Sequence, residues 1–187
     1  CGDADVIIAG GTENVSRCPY LLSNDGNHTI LKSEDMRGSL INDGLWCSFT
    51  DMHMGLIAEY TAERFKISRE EQDNYALQSH RKAYLAQEKG LFKKEIVPVA
   101  TTGHTITLDE RLRKTSMRQL AGIPPAFRLK GTVTAGNSPA PADGAAALIL
   151  ASENALKKFD ITPAARIIGY ATAALNPKLT FSAPALA

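Results

Sequence analysis

The stretch GTVTAGNSPAPADGAAALIL, residues 131–150, combines two patterns that decide the fold of this chain. Its first half is rich in Gly, Pro and Asn, which set tight turns and let the backbone approach a ligand closely. From Gly144 onward the run is small and apolar, which is typical of a strand covered on both faces. The stretch therefore predicts a tight polar loop that leads into a buried strand, an arrangement that can hold a ligand group against a rigid core.

The composition excludes several classes of protein. The chain has 187 residues, 44% apolar and 22% charged, with a net charge of +1, so a nucleic-acid-binding protein with a basic face is not expected. No apolar run approaches the ~20 residues that span a bilayer. Three cysteines without a Cys-x-x-Cys pair and four scattered histidines predict reduced thiols and no metal site. We expect a cytoplasmic protein, or a mitochondrial or peroxisomal one if the source is eukaryotic.

The beginning of the chain predicts strand and turn structure. Residues 5–9 form an apolar run closed by Gly10 and Gly11, which predicts a short buried strand ending in a turn. Because this run follows directly on Cys1, with no initiator methionine, we expect a fragment cut inside a domain. Residues 24–27 and 42–44 predict turns in a long irregular connection.

The middle of the chain shows the helical period. Met54, Ile57, Ala58, Ala62 and Phe65 recur at spacings of three and four, which places them on one helical face.

A second helix follows this face. Ser68 and Glu71 form a capping-box pattern, and the helix is expected to run to about Glu88, with Gly90 just beyond its end. The inner stripe predicted for this helix consists of Tyr75, Ala76, Ser79, Ala83 and Ala86.

The remaining segments complete an α/β pattern. Residues 95–99 predict an edge strand, because Pro98 lacks an N–H. Arg111 and Arg113 stand in a charged turn, where they pair with the neighbouring acids or one of them faces an anionic ligand. The other elements expected are a short helix over residues 115–121, a helix capped by Ser152, a strand over residues 165–171 and a loop-like end.

Taken together, these stretches resemble the thiolase family. The pieces that carry the resemblance are residues 5–16, 43–45, 53–59, 67–73, 95–99, 109–113, 125–127 and 131–147. They occur in the family's order and near its spacing, and they extend over essentially the whole chain.

The resemblance implies a fold and a division into domains. A thiolase has two similar α/β halves in a five-layered fold, each with a mixed sheet between helices, and a loop domain inserted in the first half. By resemblance, this chain holds incomplete mixed sheets. Residues 1–15 would be late first-half structure, 16–130 the loop domain, 131–163 the return to the first half and 164–187 the start of the second half.

The resemblance also implies an activity. Thiolases cleave a 3-ketoacyl-CoA with CoA, as in fatty-acid β-oxidation, or condense two acyl-CoA molecules through an acyl-cysteine. CoA is then a substrate and no cofactor is expected, and the complete parent would be a homodimer or a homotetramer. The family's Cys-x-Ser-Gly, Asn-Glu-Ala-Phe, Gly-His-Pro and Cys-x-Gly-Gly-Gly segments do not occur here, and Cys1, Cys18 and Cys47 match no catalytic position. We therefore expect no catalytic residue in this chain and no activity from it alone. The alternative is a non-catalytic thiolase-like protein that holds acyl-CoA or a partner.

What remains by resemblance is the CoA side of the site. Leu45 matches an adenine-side contact, and His53 and Met54 match the residues that line the pantetheine tunnel, although Met54 equally fits a core position. Arg113 matches the arginine beside the adenine and phosphates, and Phe127 matches an apolar tunnel wall.

The loop that opens residues 131–150 completes this predicted site. Ala135 matches a second apolar tunnel wall. Pro139 occupies the position where the family commonly has a serine that binds the pantetheine amide, and proline offers neither a hydroxyl nor an N–H. Ser138, one position earlier, is expected to substitute for it.

Overall fold

The computed structural model describes residues 2–22 and 36–187. Cys1 and the turn predicted at residues 24–27 lie outside them. The chain forms two compact units. The first comprises Cys1–Leu45, Pro141–Leu175 and Ser182–Ala187, and the second comprises Trp46–Ala140 and Asn176–Phe181. The domain boundaries implied by the resemblance stay a prediction.

The described elements follow one another in a mixed α/β order. They are β1 (Val6–Glu13), a 3₁₀ helix (Val15–Arg17), β2 (Tyr20–Leu22), β3 (Met36–Gly38), a π-helix (Leu40–Leu45), β4 (Trp46–Cys47), β5 (Met52–His53), α1 (Met54–Arg64), α2 (Arg69–Glu88), β6 (Val99–Ala100), β7 (Thr105–Ile106), α3 (Met117–Ala121), β8 (Gly144–Ala151), α4 (Glu153–Phe159) and a 3₁₀ helix (Pro177–Ala185). The strands pair antiparallel in two-stranded ribbons, β1 with β8, β2 with β3, β4 with β5 and β6 with β7.

In the first unit, β1 continues through its two glycines. The ladder with β8 runs from Val6 opposite Ala151 to the end of both strands, so the turn predicted at Gly10 and Gly11 is wrong. A Cβ at Gly10 would collide with the carbonyl oxygen of Ala146 on β8. Gly10 therefore marks a close approach of two strands and not the end of one.

The β1–β8 ribbon presents large apolar side chains to solvent. Ile8 is 75% exposed and Ile149 is 72% exposed, so the expectation of strands covered on both faces is not met in this chain. A two-stranded ribbon buries apolar side chains only where a further layer packs on it, and the described residues place no such layer on these side chains.

Side-chain hydrogen bonds fasten the two ends of this ribbon. At one end the Asp143 carboxylate accepts from the backbone N–H of Ser16 at 2.8 Å. At the other end the Ser152 hydroxyl donates to the Asp5 carboxylate at 2.6 Å, and the backbone N–H of Ser152 donates to the Asp5 carbonyl at 2.8 Å. The same hydroxyl accepts from the backbone N–H of Ala155. Ser152 thus caps α4 as predicted.

Other predictions for the first unit and for the end of the chain are wrong. Residues 42–44 lie in a π-helix and not in a turn. The end of the chain, predicted to be loop-like over residues 181–187, belongs up to Ala185 to the 3₁₀ helix Pro177–Ala185. Residues 165–171 form no strand, and Ile168 and Tyr170 are almost fully exposed. A strand requires a hydrogen-bonded neighbour, and the described residues provide none for this segment, so its apolar composition alone was an insufficient signal.

In the second unit, the helices follow their local sequence signals. Helix α1 buries Ile57 and Ala62, as the apolar spacing predicted, although Phe65 is 53% exposed. Helix α2 begins at the predicted capping box, in which the Glu71 carboxylate accepts from the backbone N–H of Ser68 at 2.7 Å. That hydrogen bond and the one from the Ser68 hydroxyl lower the pKa of Glu71. Gly90 has the left-handed φ of 67° that follows a helix end.

The inner face of α2 agrees only in part with the predicted stripe. Tyr75 is 78% exposed and Ser79 is exposed, whereas Asp73 is 1% exposed. Ala76, Ala83 and Ala86 are half-buried as predicted, and Asp73 lies on the face of Ala76 and Ala83. The stripe was therefore right for the alanines, wrong for Tyr75 and Ser79, and missed a buried acidic side chain. Strand β6 is also shorter than expected, because pairing begins only after Pro98, which has no N–H to donate.

The capping box yields a direct test of how α2 is held. We expect Ser68→Ala to lower the free energy of unfolding by about 1 kcal/mol, because the backbone N–H of Glu71 loses its acceptor. Ser79→Ala, an exposed serine to alanine change in the interior of the same helix, is the matched control and is expected to be neutral or slightly stabilising. Urea unfolding followed by circular dichroism measures both, and equal stability of the two variants would contradict the assignment.

Candidate functional site

His53 is fixed by its position between a hairpin and a helix. It is the last residue of β5, where it lies opposite Trp46 on β4, and α1 begins at the next residue. Its Nδ1 accepts a hydrogen bond from the backbone N–H of Gly55 at 3.0 Å, so the imidazole caps α1. The hairpin is itself closed by a hydrogen bond from Trp46 Nε1 to Asp51 Oδ1 at 3.0 Å.

An aromatic ring packs against this histidine. The centroids of His53 and Phe127 lie 4.9 Å apart with an interplanar angle of 30°. Gly55 is buried beside them, and a Cβ at Gly55 would overlap the Phe127 ring. Glycine is therefore required at position 55 if Phe127 is to reach the histidine, and we refer to His53, Gly55 and Phe127 as the ring clamp.

The ring clamp is joined to the loop identified first in the sequence. The backbone N–H of Ala126, next to Phe127, donates to the carbonyl of Val133 at 2.9 Å, and Pro125 forms a bridge with Thr134. The position of the Phe127 ring consequently depends on residues 131–137, which we call the anchored segment.

A buried carboxylate binds the anchored segment to α1. Glu59 is 1% exposed, and its carboxylate accepts from the backbone N–H groups of Thr132 and Val133 at 2.9 Å. Arg128 lies 3.5 Å from the same carboxylate. A Cβ at Gly131 would overlap a carboxylate oxygen of Glu59, so this contact also demands glycine there. The buried charge is thus satisfied mainly by backbone donors of one loop.

A second buried carboxylate binds the same segment to α2. Asp73 accepts from Asn137 Nδ2 at 2.9 Å and from Arg69 Nε at 2.8 Å. Asn137 also donates to the carbonyl of Thr132 at 3.0 Å and accepts from the backbone N–H of Thr134 at 2.8 Å. Its side chain therefore closes the loop on itself as well as on the helix.

The turn inside the anchored segment is tightly packed. The buried hydroxyl of Thr134 accepts from the backbone N–H of Gly136 at 3.1 Å. A Cβ at Gly136 would lie 2.6 Å from Ile123 Cδ1 and 2.8 Å from Leu120 Cδ2, so only glycine fits without a shift. This turn leaves Ala135 exposed.

Glu59, Asp73 and Asn137 form the framework of the site, and sequence reasoning missed all three. The signal was present for Glu59, which stands four residues after Gly55 and three before Ala62 on the buried face of α1. An acidic residue at the spacing of a buried face indicates a specific partner, because an unpaired buried charge is costly.

The structure places the seven predicted CoA-binding residues in different surroundings. His53 and Phe127 are in contact, and the half-buried Met54 is next in the chain. Ala135 lies in the anchored segment, and the half-buried Ser138 is the first residue after that segment.

The other two predicted residues lie apart from the ring clamp in the chain. Leu45 ends the π-helix of the first unit. Arg113 is an exposed residue of the second unit whose backbone N–H donates to His80 Nδ1 on α2 at 3.3 Å. Within residues 2–22 and 36–187, neither Arg111 nor Arg113 forms a salt bridge, so the predicted pairing with nearby acids is not seen.

Positive charge accumulates beside Arg113. The ammonium of Lys114 lies 4.5 Å from the centroid of the Tyr84 ring. Its pKa is raised by a hydrogen bond with the Tyr84 side chain and by electrostatic interaction with Tyr84 and Glu88. Two adjacent cations on an exposed segment suit an anionic ligand group.

Some chemical possibilities are not represented in the described residues. Across residues 2–22 and 36–187, no cluster of three or more His, Cys, Asp or Glu side chains could hold a metal ion. In the same residues no helix has both the length and the apolar character needed to cross a membrane.

Hydrogen bonding by Thr50 lowers the pKa of the Cys47 thiol, which is half-buried on β4.

Comparison with solved structures defines the class of protein. The chain superimposes with a TM-score of 0.89 on an acetyl-CoA acetyltransferase from Syntrophomonas wolfei, at 34% identity over 100% of this chain and 47% of that one. It superimposes with a TM-score of 0.85 on human mitochondrial 3-ketoacyl-CoA thiolase in complex with CoA, at 42% identity over 95% of this chain and 45% of that one. The fold is therefore thiolase-like, as the resemblance implied.

The family follows from the sequence comparisons. Residues 1–154 match the model of the thiolase N-terminal domain, and the chain belongs to the thiolase family. It is 42% identical to a probable acetyl-CoA acetyltransferase of Escherichia coli over 100% of this chain and 49% of the relative. It is 42% identical to the human mitochondrial 3-ketoacyl-CoA thiolase over 95% of this chain and 46% of the relative. The chain thus spans about half the length of these relatives.

The Glu59 carboxylate can be tested against a neighbouring glutamate. Glu59→Gln places an amide where backbone N–H groups must find acceptors, and we expect it to lower the free energy of unfolding by about 1.5–3 kcal/mol. Glu63→Gln is the matched control, because Glu63 also pairs with Arg128 but is 68% exposed, and we expect a change within about 0.5 kcal/mol. Chemical denaturation measures the free energy of unfolding of both variants. A Glu63→Gln variant that loses as much stability as Glu59→Gln would contradict the anchoring role.

Proposed function

We propose that the protein containing this chain is a thiolase-type acyltransferase, which cleaves a 3-ketoacyl-CoA with CoA or condenses two acyl-CoA molecules. One observation carries the proposal. Over 95% of its length the chain is similar in sequence and fold to a human thiolase whose crystal structure contains CoA. The relatives named acetyl-CoA acetyltransferase support the same reaction class.

We further propose that residues 16–130 form a CoA-binding loop domain between two stretches of the first half, residues 1–15 and 131–163. The second half would then begin at residue 164. In this proposal the ring clamp, with Met54 beside it, forms one wall of the channel for the pantetheine arm. Stacked rings and a thioether suit an alkyl chain, because they offer apolar surface with few competing polar groups.

The anchored segment would supply the facing wall. Its exposed Ala135 offers a small apolar surface. Ser138, three residues later and directly after the segment, offers a hydroxyl. Because Pro139 provides no hydrogen-bonding group on its side chain or backbone nitrogen, Ser138 would make the polar contact to the arm. The buried bonds of Asn137 and Thr134 hold this part of the loop in place without a ligand.

The nucleotide end of CoA requires positive charge. Arg113 keeps its charge at all physiological pH values, and Lys114 stands beside it. Neither Arg113 nor the neighbouring Arg111 is engaged in a salt bridge within the described parts of the chain, which supports Arg113 as a phosphate partner. Leu45 would contact the adenine.

The proposal places no catalytic step on the residues of this chain. None of its cysteines stands in a Cys-x-Ser-Gly setting, and no Gly-His-Pro or Cys-x-Gly-Gly-Gly segment is present among the 187 residues. The acyl-cysteine chemistry would therefore be carried out by residues outside this stretch, in a homodimer or homotetramer. In this proposal CoA is a substrate, and no further cofactor is expected.

Activity measurements test the proposed reaction. We expect the complete protein to cleave acetoacetyl-CoA or a longer 3-ketoacyl-CoA only when CoA is added. The loss of the absorbance of the magnesium–enolate complex of the substrate measures this cleavage. We expect residues 1–187 alone to give no cleavage. CoA-dependent cleavage by residues 1–187 would overturn the placement of the catalytic groups, and inactivity of the complete protein together with CoA binding would favour a non-catalytic binding protein.

Binding measurements test the proposed CoA contacts. Arg113→Ala in the complete protein is expected to weaken CoA binding about five- to tenfold, and the difference is expected to shrink as salt is raised. Arg111→Ala, a neighbouring arginine in the same turn, is the charge-matched control and is expected to change the Kd less than about twofold. Isothermal titration calorimetry measures both. Equal affinities for Arg113→Ala, His53→Ala and the wild type would refute the site.

A further inference from the structure

One face of α2 carries a line of residues that bind other segments of the second unit. Arg69, Asp73, His80 and Tyr84 stand at spacings of four, seven and four positions. At about 100° per residue, these spacings place the four side chains within about 60° of one another around the helix axis. Each of them contacts a segment outside α2. A single helix of 20 residues thus holds several segments at separations that its own geometry sets.

The amino-terminal part of this face binds the anchored segment and the end of α3. Asp73 accepts from Asn137 Nδ2 through Oδ1 and from Arg69 Nε through Oδ2, at 2.9 and 2.8 Å. The guanidinium of Arg69 also donates to the carbonyl oxygens of Leu120 and Ile123, at 2.7 and 2.8 Å. The planar fork of an arginine suits this task, because its N–H groups reach several acceptors at once. One ion pair therefore joins α3 and the anchored segment to the same turn of α2.

The carboxyl-terminal part of the same face binds the segment that precedes α3. The backbone N–H of Arg113 donates to His80 Nδ1 at 3.3 Å, and the ammonium of Lys114 lies 4.5 Å from the centroid of the Tyr84 ring. His80 comes seven residues after Asp73 and Tyr84 eleven residues after it. With a rise of 1.5 Å per residue, they lie about 10 Å and about 16 Å further along the helix axis.

Helix α3 lies in the chain between these two attachment places. Residues 113 and 114 are attached before it, and the Arg69 bonds fix its end. The anchored segment packs on the same end, because a Cβ at Gly136 would collide with side-chain carbons of Leu120 and Ile123. The two cations, α3 and the anchored segment consequently share one spacing, which α2 sets.

We propose that α2 is a spacer that fixes the distance between the two ends of the CoA site, with Arg69 and Asp73 as positioning residues. This inference rests on the function proposed above, in which Arg113 contacts the nucleotide and Ser138 contacts the arm. CoA presents these two ends as connected groups, so binding of one end raises the effective concentration of the other at its own contacts. That gain is lost when the spacing of the contacts no longer matches the ligand.

The two halves of CoA separate spacing from local contacts. Adenosine 3′,5′-bisphosphate carries phosphates without the arm, and pantetheine carries the arm without the nucleotide. Arg69→Lys keeps a positive charge beside Asp73, but a single ammonium does not reproduce the planar fork that reaches the carboxylate and both carbonyls. In the complete protein we expect Arg69→Lys to weaken CoA binding about five- to tenfold and to change the Kd of each half less than about twofold. Isothermal titration calorimetry measures CoA and the bisphosphate directly, and pantetheine by its competition with CoA.

A second variant loosens the spacing from the other end of α2. His80→Leu removes the acceptor of the Arg113 N–H without a change at Asp73 or in the anchored segment, and leucine is a good helix former. We expect the same selective loss of CoA affinity. Arg81→Lys, an exposed arginine of the same helix, is the charge-matched control and is expected to bind all three ligands as the wild type does. Circular dichroism verifies that each variant is folded at the temperature of the titration.

The outcomes distinguish the spacer from the proposed function. If pantetheine or the bisphosphate alone is weakened as much as CoA, the substitutions act on local contacts and the spacer is overturned. CoA binding equal to that of the wild type in both variants would overturn it as well. Either result leaves the proposed function in place. A wild-type protein that binds none of the three ligands would refute the proposed function and the spacer with it.

Discussion

The second unit depends on the buried carboxylate of Glu59. A charge removed from water is costly, and here the backbone N–H groups of Thr132 and Val133 and the nearby Arg128 satisfy it. The donors lie 73 and 74 positions further along the chain, so one side chain of α1 holds a distant loop against a helix. Asp73 repeats the arrangement from α2 through Asn137. Because the hydrogen bond from Ala126 to Val133, beside Phe127, depends on the same loop, Glu59 and Asp73 set the geometry of the proposed binding surface.

Local signals in the sequence predicted local structure well. The capping box of Ser68, the apolar spacing of α1 and the cap of α4 each depend on residues within one turn of helix, and each was confirmed. Predictions that needed a distant partner were less successful. Gly10 was interpreted as part of a turn, because the reason for a glycine there is the close approach of Ala146 on β8, which the local sequence does not show. Residues 165–171 have strand-forming side chains, but composition cannot specify which neighbour would pair with them.

The candidate site divides in the same way. His53, Met54 and Phe127 were suggested by the family resemblance, and the structure shows that His53 and Phe127 are in contact. Glu59 and Asp73 were missed because a search for apolar stripes treats acids as surface residues. The cap that His53 places on α1 was not predicted from the sequence, because it depends on a bond between a side chain and the backbone two residues later.

Because Phe127 packs directly on Gly55, the side chains at these two positions compete for the same space. A side chain can grow at position 55 only if the one at position 127 shrinks, since both would otherwise occupy the same space. Paired substitution, such as a smaller side chain at 127 together with alanine at 55, would move apolar bulk from the face of the proposed channel to the helix. These two positions therefore offer a route to change the width of the proposed acyl-CoA channel while leaving the polar framework of Glu59, Asp73 and Asn137 unchanged.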